Sequence, residues 1–202
     1  MLEIGKVHNV IQEMNRLSIQ VMGVSECRWK DKGQRDILDK TVYYSGITDG
    51  SNLNGVAVMI DQSIKKAVKN FLPLSDRVML LQLNLDIGTL NLIQVYAPTA
   101  EKEDEIIEKF YEDVSRVMEV TRHQDVTLIM GDLNAKMGQC QSNKWMGRFG
   151  LGERNERGDR LLQFCQENNM VITNTLFELP KKEAVYLEIT TGLQRQNHSK
   201  SD

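Results

Sequence analysis

Five polar residues stand just after short apolar runs, and their types suit one reaction. Glu26 follows Ile19-Gln20-Val21-Met22-Gly23-Val24-Ser25, and Tyr96 closes the run that begins at Leu90. Asp132 and Asn134 follow Val126-Thr127-Leu128-Ile129-Met130 within Gly131-Asp132-Leu133-Asn134, and Asn174 follows Met170-Val171-Ile172-Thr173. Glu26 offers a hard carboxylate oxygen of the kind Mg2+ takes while it keeps several waters. Asp132 offers a second carboxylate, able to orient or deprotonate a water. Asn134 offers an amide donor to a non-bridging phosphate oxygen, and Tyr96 a hydroxyl near a charged transition state. A metal with such donors is what attack of water on a phosphodiester needs, because charge builds on the phosphoryl and leaving oxygens. Singly, each residue has a plain structural reading. A Glu after a strand is commonly a solvated loop residue, and Gly, Asp and Asn together favour a turn. Tyr96 could be a core or rim aromatic.

The elements that must bring these residues together are short. Apolar runs of five or six residues read as buried strands, and strand ends that meet at one rim of a sheet are where α/β proteins place ligand sites. Rigid strands also hold a reacting group better than loops do. Ile4, Val7, Val10, Ile11, Met14 and Leu17 recur at helical spacing, so 4–17 is expected as an amphipathic helix. Further strands are expected at 19–24, 42–44 and 55–60, and a hairpin from 77–85 and 89–96 joined at Asp86-Ile87-Gly88. Residues 103–121 predict a second helix, with Ile106, Ile107, Phe110, Val114, Val117 and Met118 on one face. Its other face is acidic, with Glu101, Glu103, Asp104, Glu105, Glu108, Glu112, Asp113 and Glu119, and reads as solvated. Strand 126–130, a loop over 135–157, a helix around Leu161–Cys165 and a strand at 170–173 complete the pattern. Val185-Tyr186-Leu187 is a weak last strand candidate. One domain over 1–180 is expected, followed by a divergent, polar and disordered tail over 181–202.

Composition sets the frame. The chain has 202 residues, 25 Lys+Arg against 28 Asp+Glu, a formal net charge of −3, 41% hydrophobic and 26% charged residues. These values exclude collagen-like, low-complexity and wholly disordered classes. No apolar run is long enough to span a bilayer, and the first residues carry no basic-then-apolar leader pattern. Cys27, Cys140 and Cys165 are scattered, which argues against a disulfide framework or a zinc knuckle and for a nuclear or cytoplasmic, non-secreted protein. With a slightly acidic chain, any contact with DNA has to be local. The basic residues Lys144, Arg148, Arg154, Arg157 and Arg160 could supply it, and Glu153, Glu156 and Asp159 interleave with them.

Taken in this order, the motifs resemble the exonuclease-endonuclease-phosphatase superfamily of Mg2+-dependent phosphoesterases. The carrying stretches are Val24-Ser25-Glu26-Cys27-Arg28-Trp29, Asn54-Gly55-Val56-Ala57-Val58-Met59 and Ile93-Gln94-Val95-Tyr96-Ala97-Pro98-Thr99. They continue with Phe110-Tyr111-Glu112-Asp113, Gly131-Asp132-Leu133-Asn134-Ala135-Lys136, Gly147-Arg148-Phe149-Gly150-Leu151-Gly152 and Asn174-Thr175-Leu176-Phe177. The resemblance runs from about Leu2 to Phe177. It is closest to the endonuclease domains of non-LTR retrotransposons and to the craniofacial development protein 2-like proteins. It implies a four-layered α/β sandwich of two packed sheets flanked by helices. It implies Glu26 as metal ligand for Mg2+, or Mn2+ in its place, and Tyr96 near the scissile phosphate. It further implies Asp132 as the residue that positions or activates water, Asn134 as its phosphate-contacting partner, and DNA as the substrate. Asn174, Arg148 and Arg154 are expected as phosphate or DNA contacts.

The family pattern also contains parts that these residues do not match. It opens with a strand ending in Asn ahead of the first helix, and closes with an Asp-containing strand and a Ser-Asp-His triplet. After Phe177 nothing matches; His198 and Asp202 stand in reversed order within the polar tail. The chain is therefore expected to be truncated at both ends, with weak or no phosphodiesterase activity. The alternative is a non-catalytic remnant that at most binds nucleic acid or protein.

Overall fold

The computed structural model describes residues 4–47 and 54–178, and the backbone of 193–195. Helix α1 (Ile4–Arg16) leads into β1 (Val21–Ser25), β2 (Lys32–Ile37), β3 (Lys40–Ser45) and β4 (Val56–Asp61). A 3-10 turn over Gln62–Ala67 precedes β5 (Val68–Pro73), β6 (Val78–Leu85) and β7 (Gly88–Tyr96). Then come α2 (Asp104–Glu119), β8 (Val126–Asp132), α3 (Glu156–Glu167), β9 (Met170–Ile172) and β10 (Leu193–Arg195).

Two sheets result. One has four antiparallel strands in the order β1-β4-β3-β2; the other has six, in the order β5-β6-β7-β8-β10-β9. Within the second, β7 and β8 are parallel neighbours, and β10 runs antiparallel to both β8 and β9.

Three apolar cores divide four layers. The buried stripe Val7, Ile11 and Met14 of α1 packs on Val42, Tyr44, Ala57 and Met59 of the first sheet. The other face of that sheet, with Tyr43, Val56, Val58 and Ile60, meets Met79, Leu81, Leu83, Leu92 and Tyr96 of the second. Because β4 is buried on both faces, Val56-Ala57-Val58-Met59-Ile60 is apolar without alternation. Beyond the second sheet, Leu80, Ile93, Val95 and Ile129 are covered by Phe110, Val114 and Val117 of α2 and Leu161 and Phe164 of α3. This is the α/β sandwich expected.

Helix α2 begins with Asp104 and Glu105, whose charge suits the positive end of the helix dipole. Its acidic face is only partly solvated. Arg157 Nη1 donates to Asp104 Oδ1 at 2.9 Å, and Arg160 Nε and Nη2 donate to the two oxygens of Glu108 at 2.7 and 2.8 Å. These bonds bolt α3 to α2.

Several boundaries differ from expectation. Leu17 lies past the end of α1 and is 54% exposed. Strands β2 and β5 form where no apolar alternation announces them; β2 is Lys-Gly-Gln-Arg-Asp-Ile, largely exposed, and is held by its ladder with β3. Of the stretch read as a tail, 193–195 form β10, while the strand candidate at 185–187 lies outside the described residues. No described helix is long and apolar enough to cross a membrane, and Cys27, Cys140 and Cys165 are free thiols.

Candidate active site

The parallel pairing of β7 with β8 makes Tyr96 and Asp132 register partners at the last rung of the two strands. Strand β1 of the opposing sheet ends at the same rim. Its terminal Ser25 donates to the Val95 carbonyl at 2.9 Å and accepts the Asp132 N–H at 3.1 Å. Glu26, the next residue, turns with φ of 54°. That left-handed backbone is uncommon for a residue with a Cβ, and such conformations cluster at functional positions. It brings the Glu26 carboxylate to Tyr96, whose hydroxyl donates to Oε1 at 2.7 Å. Arg28 Nη2 donates to Oε2 at 2.9 Å from a side chain that is 44% exposed.

Asp132 and Asn134 form one local unit. The Asn134 N–H donates to Asp132 Oδ1 at 2.9 Å, and the Asn134 side-chain amide donates to the Ala97 carbonyl at 2.7 Å. Asn134 has φ of 46°, a conformation Asn tolerates better than most residues. Gly131 is required just before it: its φ is 131°, and a Cβ there would stand 2.0 Å from the Val95 carbonyl oxygen.

Folding shifts the two carboxyls in opposite directions. The Tyr96 hydrogen bond, helped by Arg28, holds the Glu26 carboxyl below the usual range despite partial burial. Burial pushes the Asp132 carboxyl up; the Asn134 N–H opposes this, and the negative charge on Glu26 adds to it. Burial, and then the bond to Glu26, push the Tyr96 phenol up to about 12, so it is a donor and not a phenolate at neutral pH.

This donor set fits a divalent cation. Positive charge beside Glu26 would offset the negative charge that helps push the Asp132 carboxyl up. Mg2+ needs only one or two protein carboxylates because it keeps its waters. Among the described residues no group of three or more His, Cys, Asp and Glu is assembled to enclose a metal.

The other expected contacts separate. Asn174 lies in the 3-10 turn Thr173–Thr175 that follows β9. Since Leu193 of β10 pairs with both Ile129 and Ile172, β9 runs parallel to β8 and ends at the same rim. Two strand spacings put Asn174 roughly 10 Å from Asp132. Its side-chain oxygen is buried and has no hydrogen-bond partner among the described residues. Arg148 is exposed in the loop after Asn134, with its guanidinium 4.8 Å from the Phe149 ring centroid. Arg154, expected as a DNA contact, is half-buried and turned to partners within the protein. It donates to the Met137 carbonyl at 3.1 Å and to Met146 Sδ at 3.3 Å, and lies 3.5 Å from Asp159.

Three residues with no expected role complete the site. Arg28 pairs with Glu26. Arg77 lies 5.0 Å from the Tyr96 ring centroid, donates to the Tyr96 carbonyl at 3.1 Å and to Asn54 Oδ1 at 3.0 Å. Ser25 links the two sheets. Arg28 and Ser25 sit beside Glu26 in sequence and were legible as neighbours; Arg77 carries no local signal.

The two-sheet α/β fold is one that several solved endonucleases share. Among solved structures, the endonuclease domain of TRAS1, a telomere-specific non-LTR retrotransposon, superposes with a TM-score of 0.59 at 14% identity, over 90% of this chain and 75% of that one. An AP endonuclease from Archaeoglobus fulgidus gives a TM-score of 0.56 at 14% identity, over 94% and 81%. AP endonuclease LMAP from Leishmania major gives 0.61 at 10% identity, over 92% and 72%. In sequence, the chain is a homologue of craniofacial development protein 2 from Bos taurus, 39% identical over 178 residues, and equally of that from Tragulus javanicus. The match covers 88% of this chain but spans only about 30% of the length of the Bos taurus relative. No model of a known protein family matches the chain.

Proposed function

We propose that this chain carries a Mg2+-dependent phosphodiesterase site of the DNA endonuclease type. The observation that carries the reading is the meeting, at one rim, of Glu26, Tyr96 and Asp132 from three strands of two sheets. Glu26 would hold Mg2+, which would supply positive charge to the phosphoryl oxygens. Arg28 pairs with the exposed end of Glu26, so a cation there would displace it. Asp132 accepts the proton of the attacking water: one of its oxygens is fixed by Asn134, and its carboxyl is shifted toward a better base. Asn134 commits one amide proton to Ala97 and keeps the second for a phosphate oxygen. Tyr96 and Arg77 stand behind Glu26 and fix its orientation.

Both Glu26 carboxylate oxygens already have partners, the Tyr96 hydroxyl and Arg28, and this supports a second reading, a non-catalytic remnant that binds nucleic acid or protein.

Nicking of supercoiled plasmid separates the two. Expected is weak nicking in Mg2+, abolished by EDTA and by Asp132→Ala. No nicking above that of Asp132→Ala sinks the enzymatic reading and leaves the binding one.

A further inference from the structure

We propose that the segment from Lys144 to Phe149 is a stacking platform for the unpaired bases of single-stranded nucleic acid. This deepens the reading above and rests on it for the class of ligand.

The chain between Asn134 and α3 presents the same arrangement twice, four residues apart. Lys144 Nζ lies 4.3 Å from the Trp145 ring centroid, and the Arg148 guanidinium 4.8 Å from that of Phe149. Both cations are exposed, and both rings are partly so. Neither cation has a carboxylate partner among the described residues, whereas Arg154, Arg157 and Arg160 each pair with one. The charge left over for phosphates in this region is thus carried on aromatic rings. Every base offers a π-face to such rings, and a cationic groove tracks the backbone between them.

The segment is also pre-formed. Trp145 accepts the Ile172 N–H at 2.8 Å, Met146 bridges Ile172 in parallel, and Gly147 and Phe149 donate to Thr175 at 2.8 and 3.0 Å. A Cβ on Gly147 would stand 2.1 Å from the Thr175 carbonyl oxygen, so no side chain is admitted there. The platform therefore extends the sheet past β9 and runs toward the rim that carries Asp132. Phe177, 67% exposed two residues past Thr175, adds a third ring at that end. A single strand laid along these rings would lead its backbone to the carboxylates.

The test is anisotropy of a labelled oligo(dT) 15-mer, without metal, against the full chain. Expected is salt-dependent binding that exceeds binding of a blunt duplex of equal length. Trp145→Ala and Phe149→Ala should each weaken it at least fivefold, with Trp145→Tyr restoring most of the affinity. Arg148→Ala should lower the salt slope by about 0.7. In Trp29→Phe, where Trp145 is the remaining tryptophan, the oligonucleotide should quench the emission. A chain that binds the oligonucleotide but does not nick keeps the platform and loses only the enzymatic reading. Affinity unchanged in both alanine variants, with no quenching in Trp29→Phe, overturns the platform whatever the plasmid assay shows.

Discussion

The Ser25 hydroxyl accepts the backbone N–H of Asp132 across 107 positions of sequence, at 3.1 Å. The same oxygen donates to Val95 and receives the Gln94 side-chain amide at 3.2 Å. One hydroxyl thus joins the end of β1 to the ends of β7 and β8, and its neighbours in sequence and space are the two carboxylates of the site. Ser25→Ala leaves the Asp132 N–H and the Val95 carbonyl to find other partners. Its expected cost is about 1–2 kcal/mol in urea unfolding, together with weaker Mg2+ binding by calorimetry. Full stability with unaltered Mg2+ affinity would show that the strand ends hold their places without it.

Gly131 is a second point at which the rim is set. Its φ of 131° and the 2.0 Å approach of a Cβ to Val95 act together, whereas Gly88, with φ of 124°, has open space around it. Gly88→Ala therefore measures backbone strain alone and should cost about 1 kcal/mol. Gly131→Ala adds a collision with main chain and should cost at least about 2 kcal/mol more, or prevent folding. Equal losses in the two variants would mean that β7 and β8 part easily at this end.

Much of this arrangement was readable from the chain. Strands β7 and β8 are buried on at least one face and β1 is half-buried, so they appear as apolar runs, and the polar residue at or after each end is visible by contrast. Helix α2 was legible from Ile107, Phe110, Val114 and Val117 for the same reason. What was missed does not depend on burial. Strand β2 is held by backbone pairing with β3, which leaves no trace in residue type. Arg77 reaches Tyr96 through a fold-level approach of the β6 start to the β7 end. Arg154 was taken with Arg148 as a DNA contact because both are arginines in one polar loop. Only the fold shows that carbonyl and sulfur acceptors consume the first and leave the second outside.

That difference between the two arginines is measurable. Arg154 ties the 137–138 turn to the start of α3 and to Met146. Arg154→Ala should lower stability by about 1–2 kcal/mol. Arg148→Ala should stay within about 0.5 kcal/mol of the parent, as surface changes do. Thermal unfolding of the two variants side by side decides it; an Arg154→Ala chain as stable as Arg148→Ala would return Arg154 to the list of free cations.

Lys40 gives the fold a pH dependence of its own, away from the site. Its side chain is 1% exposed, and its ammonium donates to Asp39 Oδ2 and Asp61 Oδ2 at 2.7 Å each, and to Asn15. Burial works against the ammonium, but the two carboxylates more than offset it, and its pKa is raised. The Lys40 bond, with the Ser63 contacts, holds the Asp61 carboxyl well below the usual range. A carboxyl whose pKa is depressed by folding adds stability above its unfolded value of about 3.9 and loses it as pH falls toward the folded value. Unfolding free energy should therefore decline below about pH 4. Lys40→Met removes the cation and keeps the packing volume. It should cost about 2 kcal/mol at neutral pH, less than for a fully buried pair because Asp61 and Asp39 are 27% and 50% exposed. Its stability should also decline less than the parent's between about pH 4 and pH 2, because the carboxylates that Lys40 had held ionised titrate nearer their ordinary range. Parallel pH profiles for parent and variant would show that the ion pair contributes nothing to folding.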